Sequence, residues 1–329
     1  MKRSGSWGEF TFQNFHWQGK NFMKKQLDII GLGICAVDFL GLVSKYPGPG
    51  QKMPLEAFAK QGGGLAGTAL AAAARLGAKT AYIGKLGRDE YSCFLLDEFQ
   101  NDGVDVSRVI FEDGAQPPIS FIHVEKGTGE RRIARYWREF DLQPDELNRA
   151  AIQSSRILFL EHHFVAAGIA AAKWSKEAGG IIVVDAERGV AGFDEILQLA
   201  DYIIVSQHFA SQQTGSKNAE QAAHLLQQKY GSVVVVTAGE MGAFCRTAEN
   251  IFYQPAFQVE VVDTTGAGDV FHGAFMAGLI ENWPLPKILE FAAAVAAMKC
   301  RGLGGRAMIP NRKEAEQFLK ENGTIEAWQ

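Results

Sequence analysis

The chain of 329 residues has only four cysteines, Cys35, Cys93, Cys245 and Cys300, far apart and in neither a C-x-x-C pair nor a Cys/His cluster. That excludes a disulfide scaffold and a structural zinc site of ordinary spacing, and reduced thiols in a cytoplasmic protein are the simplest reading. No apolar run approaches the roughly 20 residues needed to span a bilayer, since the longest small-residue stretch, 66–74, stops at Arg75. No block of basic residues exists either: 33 Lys and Arg against 37 Asp and Glu give a net charge of −4, spread along the chain. Nucleic acid is therefore not an expected partner, nor is a membrane. The chain also lacks G-x-x-x-x-G-K-[ST], which rules out a P-loop phosphate site.

What is present is 47% hydrophobic content, enough for a large core, and no internal repeat or low-complexity linker. Residues 1–25 carry basic and aromatic side chains without an apolar core segment and read as a loosely ordered extension, with Met23 as an alternative start. The apolar run 27–32 reads as a strand buried on both faces, and 65–76, rich in alanine and stopped at Gly77, as a tightly packed helix. Proline and glycine at 47–50 and Pro54 disfavour a helix there. Residues 119–124 and 131–137 alternate around a glycine-bearing turn, so a small β-lid is expected from 39–61 and 118–138. From residue 145 onward strands at 157–160, 181–185, 202–205 and 233–237 alternate with helix-length segments. That rhythm calls for a doubly wound, mostly parallel α/β sheet with ligands at its C-terminal strand ends.

The stretch DTTGAGDVFHGAF, 263–275, carries the chemistry. Val270, Ala274, Ala277 and Gly278 share one helical face, which puts Gly266, Ala267 and Gly268 at a helix N-terminus. Free amides and the positive dipole end suit a phosphate being transferred, and Asp269 on the first turn can take the proton from a hydroxyl.

DTTGAGDVFHGAF resembles the C-terminal signature of the ribokinase-like (PfkB) carbohydrate kinases, and Gly62-Gly63-Gly64 with the run to Ser92 resembles their N-terminal signature. The resemblance covers residues 27 to about 320. It implies an αβα sandwich with a β-lid, a kinase domain over 26–325, ATP with Mg²⁺ as phosphoryl donor, and often a homodimer through the lid. Carried over residue by residue, it implies that Asp269 is the base, with Gly266, Ala267 and Gly268 as the anion hole. Asp38, Gly63 and Gly64 would then face the sugar, with Thr68 where many relatives have Asn. Val235 to Gly242 resembles the nucleotide-side strand and turn, so Thr237, Gly239 and Gly242, with Thr265 and Gly268, would lie at ATP. Asp263 and Thr265 would offer backbone oxygens to a monovalent cation, K⁺.

Where many relatives carry an N-x-x-E motif for magnesium, this chain reads Ser206-Gln207-His208-Phe209, leaving Asp185 and Glu187 as the available carboxylates. Within the family the likeness is nearest to the branch acting on sulfofructose, which points to Lys52, Arg135 and His163 as groups for an anionic acceptor. Lys52 and Arg135 read equally as solvated lid charges, and His162-His163 as a structural strand-end pair. Ketohexoses and anionic ketoses lead as acceptors, with ribose and nucleosides behind. Two other readings remain: a sugar- or nucleotide-binding sensor of the same fold, and a dinucleotide-binding oxidoreductase suggested by Gly31-Leu32-Gly33-Ile34-Cys35-Ala36. The proline- and glycine-rich segment that follows argues against the latter, because the fingerprint must open a helix.

Overall fold

The chain is described by a computed structural model over residues 26–138 and 140–324, so the extension expected at 1–25 lies outside the described residues. In chain order the elements are β1 (Leu27–Leu32), β2 (Ala36–Val43), β3 (Ala57–Gly63), α1 (Leu65–Arg75), β4 (Thr80–Ile83), β5 (Lys85–Leu86), α2 (Glu90–Asn101), β6 (Ile110–Phe111), β7 (Ile119–Glu125) and β8 (Arg131–Tyr136). There follow α3 (Arg149–Gln153), β9 (Ser155–Leu160), α4 (Val165–Glu177), β10 (Ile181–Ala186), α5 (Phe193–Leu199), β11 (Tyr202–Ser206), α6 (Gln207–Thr214) and α7 (Ala219–Tyr230). The last are β12 (Val233–Thr237), β13 (Ala243–Arg246), β14 (Ile251–Gln254), α8 (Ala267–Ile280), α9 (Leu285–Lys299) and α10 (Arg312–Asn322).

Eight strands form the central sheet in the order β14-β13-β12-β11-β10-β9-β1-β4, parallel from β12 to β4 and antiparallel across β13 and β14. Successive strand residues point to opposite faces, so Ile157, Phe159, Val183 and Val235 enter one core while Leu158, Leu160, Val184 and Val236 enter the other. The first core is closed by α1, α2, α8, α9 and α10, the second by α3 to α7, which makes the αβα sandwich. From β1 the chain steps to β4 on one side, and from β9 it proceeds to β12 on the other. The strand order therefore reverses between β1 and β9, and a crevice opens beyond their carboxyl ends.

A second sheet, β3-β2-β7-β8, stands over that crevice. Its β2 begins at Ala36, ahead of residue 39 where the sequence suggests the lid, because buried Ala36 and Val37 extend the strand back to the sheet edge. Leu40, Ile122 and Val124 form its own small core. The other face is apolar and open: Phe58 is 64% exposed, Phe121 51% and Tyr136 53%. Among the described residues no helix is long and apolar enough to cross a membrane.

Candidate active site

The turn before α8 is built by one buried carboxylate. Asp263 Oδ1 accepts from the Thr265 amide (2.8 Å) and hydroxyl (2.7 Å), and Oδ2 accepts from the Gly304 amide (2.7 Å). This buckle presses Gly266 against Gly305: a Cβ at Gly266 would lie 2.8 Å from the Gly305 Cα, and its φ of +73° is left-handed. Glycine is the residue such a cap tolerates. α8 then starts at Ala267, and its first-turn amides have no carbonyl below them, so they and the dipole offer a place for negative charge. Asp269 stands on that first turn, half-buried and facing the crevice.

Two chambers meet there. A cleft of about 520 Å³ is lined by Asp38, Gly64, Arg135, His163, Asp185 and Asp269, among others. A cavity of about 410 Å³, walled by Phe257, Phe271, Ala293, Ala296 and Ala297, lies on the other side. Thr237, Gly239, Thr264, Ala267 and Gly268 border both. A largely apolar chamber and a more polar one thus share the helix N-terminus as their wall.

The electrostatics follow from burial. It pushes the Asp185 and Asp269 carboxyls well above the usual range, and each gains from nearby carboxylates: Glu187 and Glu161 for Asp185, Asp185 for Asp269. His272 lies beneath them, its ring nitrogens 2.7 Å from the Gly268 carbonyl and 3.0 Å from that of Ile204, with Asp185 at 3.6 Å. Burial lowers its pKa, while the two carbonyls act to raise it. Asp38 is lifted by burial to about 6, against the pull of Ser120 and Arg306.

The wall opposite Asp269 hangs on Glu161 at the end of β9. Its carboxylate lies against Gly33, accepts from the Ile34 amide (2.7 Å) and the His163 amide (2.7 Å), and holds His163 Nδ1 at 2.5 Å. Burial acts to raise Glu161, but the bonds and charge of the histidines more than offset it and hold it low. His163 packs edge-on against Trp137 at 4.9 Å, and Arg135 lies over the same indole at 5.0 Å. His162 is pushed down to about 4 by burial. Gly31-Leu32-Gly33 is thus the end of a strand docked on Glu161. It leads into β2, not into a helix, and the dinucleotide reading falls.

Most of the residues singled out in the sequence come together: Asp38, Gly64, Arg135, His163, Asp185, Glu187, Thr237, Gly239, Thr265 to Gly268 and Asp269 all border the cleft, and Gly242 borders the apolar cavity. Others do not. Lys52 is exposed in the segment between β2 and β3 and is not among the cleft-lining residues. Gly63 is not among the cleft-lining residues but lies against one, the Asp38 carboxylate: a Cβ there would sit 1.9 Å from Oδ2. Thr68 is buried in the first turn of α1, facing Gly305, and is not among the cleft-lining residues. The Asp263 carbonyl, expected to take K⁺, instead accepts from the ammonium of Lys299 at 2.8 Å. Phe209, where the motif glutamate stands in many relatives, is buried in the second core, while Ser206 caps α6.

Sequence reading missed Arg131, which ties the lid to Thr264 (2.8 Å), and Arg188, which lines the cleft. It also missed Arg306, which is buried, donates to the Gly63 carbonyl (3.0 Å) and stacks over Phe99. Arg131 and Arg188 carry no signal beyond their charge. Arg306 and Lys299 do carry one, since each sits between apolar or small residues where a solvated charge is out of place.

A doubly wound sheet with a lid, an acid at a glycine-bearing helix N-terminus and two chambers meeting at that helix end fit a phosphotransferase with an alcohol group as acceptor. Residues 26–312 match the pfkB family carbohydrate kinase profile, and the chain belongs to that family. It is 27% identical over 306 residues to a ribokinase of Haemophilus influenzae, covering 91% of this chain and 99% of that one. It is 30% identical to a probable fructokinase-2 of Arabidopsis thaliana, over 80% and 88% of the two chains. The structure of Arabidopsis thaliana ribokinase complexed with ribose and ATP shares the fold at a TM-score of 0.75 and 24% identity, over 89% and 99% of the chains.

Proposed function

We propose that this kinase transfers the γ-phosphoryl group of ATP to a hydroxyl of a ketohexose or an anionic ketose, with Asp269 as general base. One observation carries the reading: Asp269 stands on the first turn of α8, where the two chambers meet. The nucleotide takes the apolar cavity, its phosphates passing Thr237, Gly239, Gly242 and Thr265 to reach Gly268. The sugar takes the cleft, with Asp38, Gly64, Arg135 and His163 around its hydroxyls or charged end. Asp269 accepts the hydroxyl proton as the acceptor oxygen bonds to the γ-phosphorus and the bond to the leaving ADP oxygen breaks. The first-turn amides of α8 stabilise the charge on the transferring group. Arg131 closes the lid over the loop at Thr264, which excludes water and so suppresses hydrolysis.

Magnesium bound with the nucleotide supplies charge neutralisation between the phosphates. Asp185 and Glu187 fit it: they are hard oxygen donors on the cleft wall, and Asp185 is a buried carboxylate whose nearest charges are largely of its own sign. The lack of a carboxylate at Phe209 favours a second reading, a sugar- or nucleotide-binding sensor of the same fold. ADP release measured with Mg²⁺ against fructose, sulfofructose, fructose phosphates, tagatose, ribose and adenosine separates them. Turnover with a ketose is the expected outcome; turnover with ribose or adenosine alone would move the acceptor class. Silence across the panel with ATP still bound would leave the sensor.

The open apolar face of the lid, with Phe39 stacked on Phe121 at 5.4 Å and on Phe58 at 6.4 Å, supports a homodimer through this sheet. Light scattering at micromolar concentration is expected to return twice the chain mass, and Phe58→Asp to return the monomer. A monomeric wild type would remove the proposal.

A further inference from the structure

α9 ends at Lys299, whose side chain is fully buried under the turn that carries the anion hole. Its Nζ donates to the carbonyl oxygen of Asp263 at 2.8 Å. The same residue's carboxylate is used up on Thr265 and Gly304, and its amide donates to the Cys300 carbonyl at 3.1 Å. The Val262 amide also donates to that Cys300 carbonyl, at 2.8 Å. Of the two backbone oxygens expected to hold a monovalent ion, that of Asp263 is therefore taken by an ammonium. A second cation close to that ammonium would be repelled by it. The charged groups facing Lys299 are Asp263, Asp269 and Arg131, with the Cys300 thiol beside it, so the fixed cation balances carboxylates on both sides of the turn.

We propose that the Lys299 ammonium takes the place of a monovalent cation beneath the anion-hole turn, as a positioning residue, and that the enzyme works without K⁺. The turn from Asp263 to Gly268 then keeps its shape through a covalently tethered charge. Burial acts to lower the Lys299 pKa while Asp263 and Asp269 act to raise it, and the tether keeps the group in place whatever the ionic composition around the protein.

The test varies K⁺ from none to about 0.1 M against tetramethylammonium, an ion too large for the position, at constant ionic strength. It reads kcat with the accepted sugar and, separately, the melting temperature with a non-hydrolysable ATP analogue. Wild type is expected to change by less than about twofold in kcat and to keep its melting temperature within about 1 °C. Lys299→Met is expected to lose at least about tenfold in kcat without K⁺ and to gain activation on adding it, which loss of packing alone would not produce. Activation of wild type by about fivefold or more, or a K⁺-dependent rise in its melting temperature, overturns the proposal. So does a folded Lys299→Met with wild-type turnover in K⁺-free buffer. The kcat arm rests on the kinase reading. Should no acceptor turn over, that reading fails while the melting temperature of wild type still decides this one.

Discussion

Asp269→Asn is expected to lower kcat by about a hundredfold or more while KM for ATP stays within about threefold. The two side chains have the same shape, so the start of α8 and the amides that hold the phosphate are retained. What is lost is the proton acceptor at the point where the chambers meet. Steady-state kinetics with the sugar found by the panel, together with nucleotide binding by calorimetry, measure both parts. A variant that keeps a tenth or more of the wild-type rate would take the base role from Asp269. The pH profile adds a second check. Burial and the Asp185 charge raise Asp269, and a base must be ionised to act. The acid limb of kcat/KM should therefore lie above the ordinary carboxylate range, rising with pH and flattening once the group is ionised. A limb at the usual carboxylate value would mean that bound nucleotide or another residue sets the rate.

The parts of this site that were legible in the sequence are the local ones. A glycine-bearing turn next to an acid and a helix-period face announce an N-terminal phosphate site because the geometry is contained within a dozen consecutive residues. The parallel sheet was legible for the same reason, since each β-run is apolar on both faces. What could not be read was set by residues far apart in the chain. The bond from Lys299 to the Asp263 carbonyl spans 36 positions and that from Arg306 to the Gly63 carbonyl 243, so neither leaves a periodic trace. The expectation of K⁺ at Asp263 was formed without sight of such a contact, the bond from Lys299. Gly63 shows the other limit: a glycine in a signature looks like a ligand contact, yet here the missing Cβ makes room for Asp38. Glu161 was invisible because an isolated acid after a strand usually faces solvent, and only the Ile34 and His163 bonds show why this one is buried.

Asp38→Asn should separate binding from stability, with effects of opposite sign. The buried carboxyl of Asp38 has its pKa raised to about 6, so folding prefers it protonated. A carboxyl raised on folding contributes stability that is fully present below its unfolded pKa and is lost as pH rises through its folded one. By pH 8 the group is ionised and still buried, which costs the folded state up to about 3 kcal/mol relative to an aspartate that titrates in its ordinary range. Asparagine cannot ionise, and it keeps the space beside Gly63. The variant is therefore expected to melt higher than wild type at pH 8, with the difference shrinking toward zero near pH 4, as followed by circular dichroism in the absence of ligand. Its KM for the sugar should rise by about tenfold to a hundredfold at pH 8, because a charged acceptor of sugar hydroxyls, worth about 1.5–3 kcal/mol, has been removed. The two halves have one cause: the desolvation that makes the Asp38 carboxylate costly to the empty enzyme leaves it short of hydrogen-bond donors, which sugar hydroxyls provide. Equal melting temperatures at pH 8 with a raised KM would mean that Asp38 is already solvated in the open cleft. A higher melting temperature with unchanged KM would mean that the sugar binds without it.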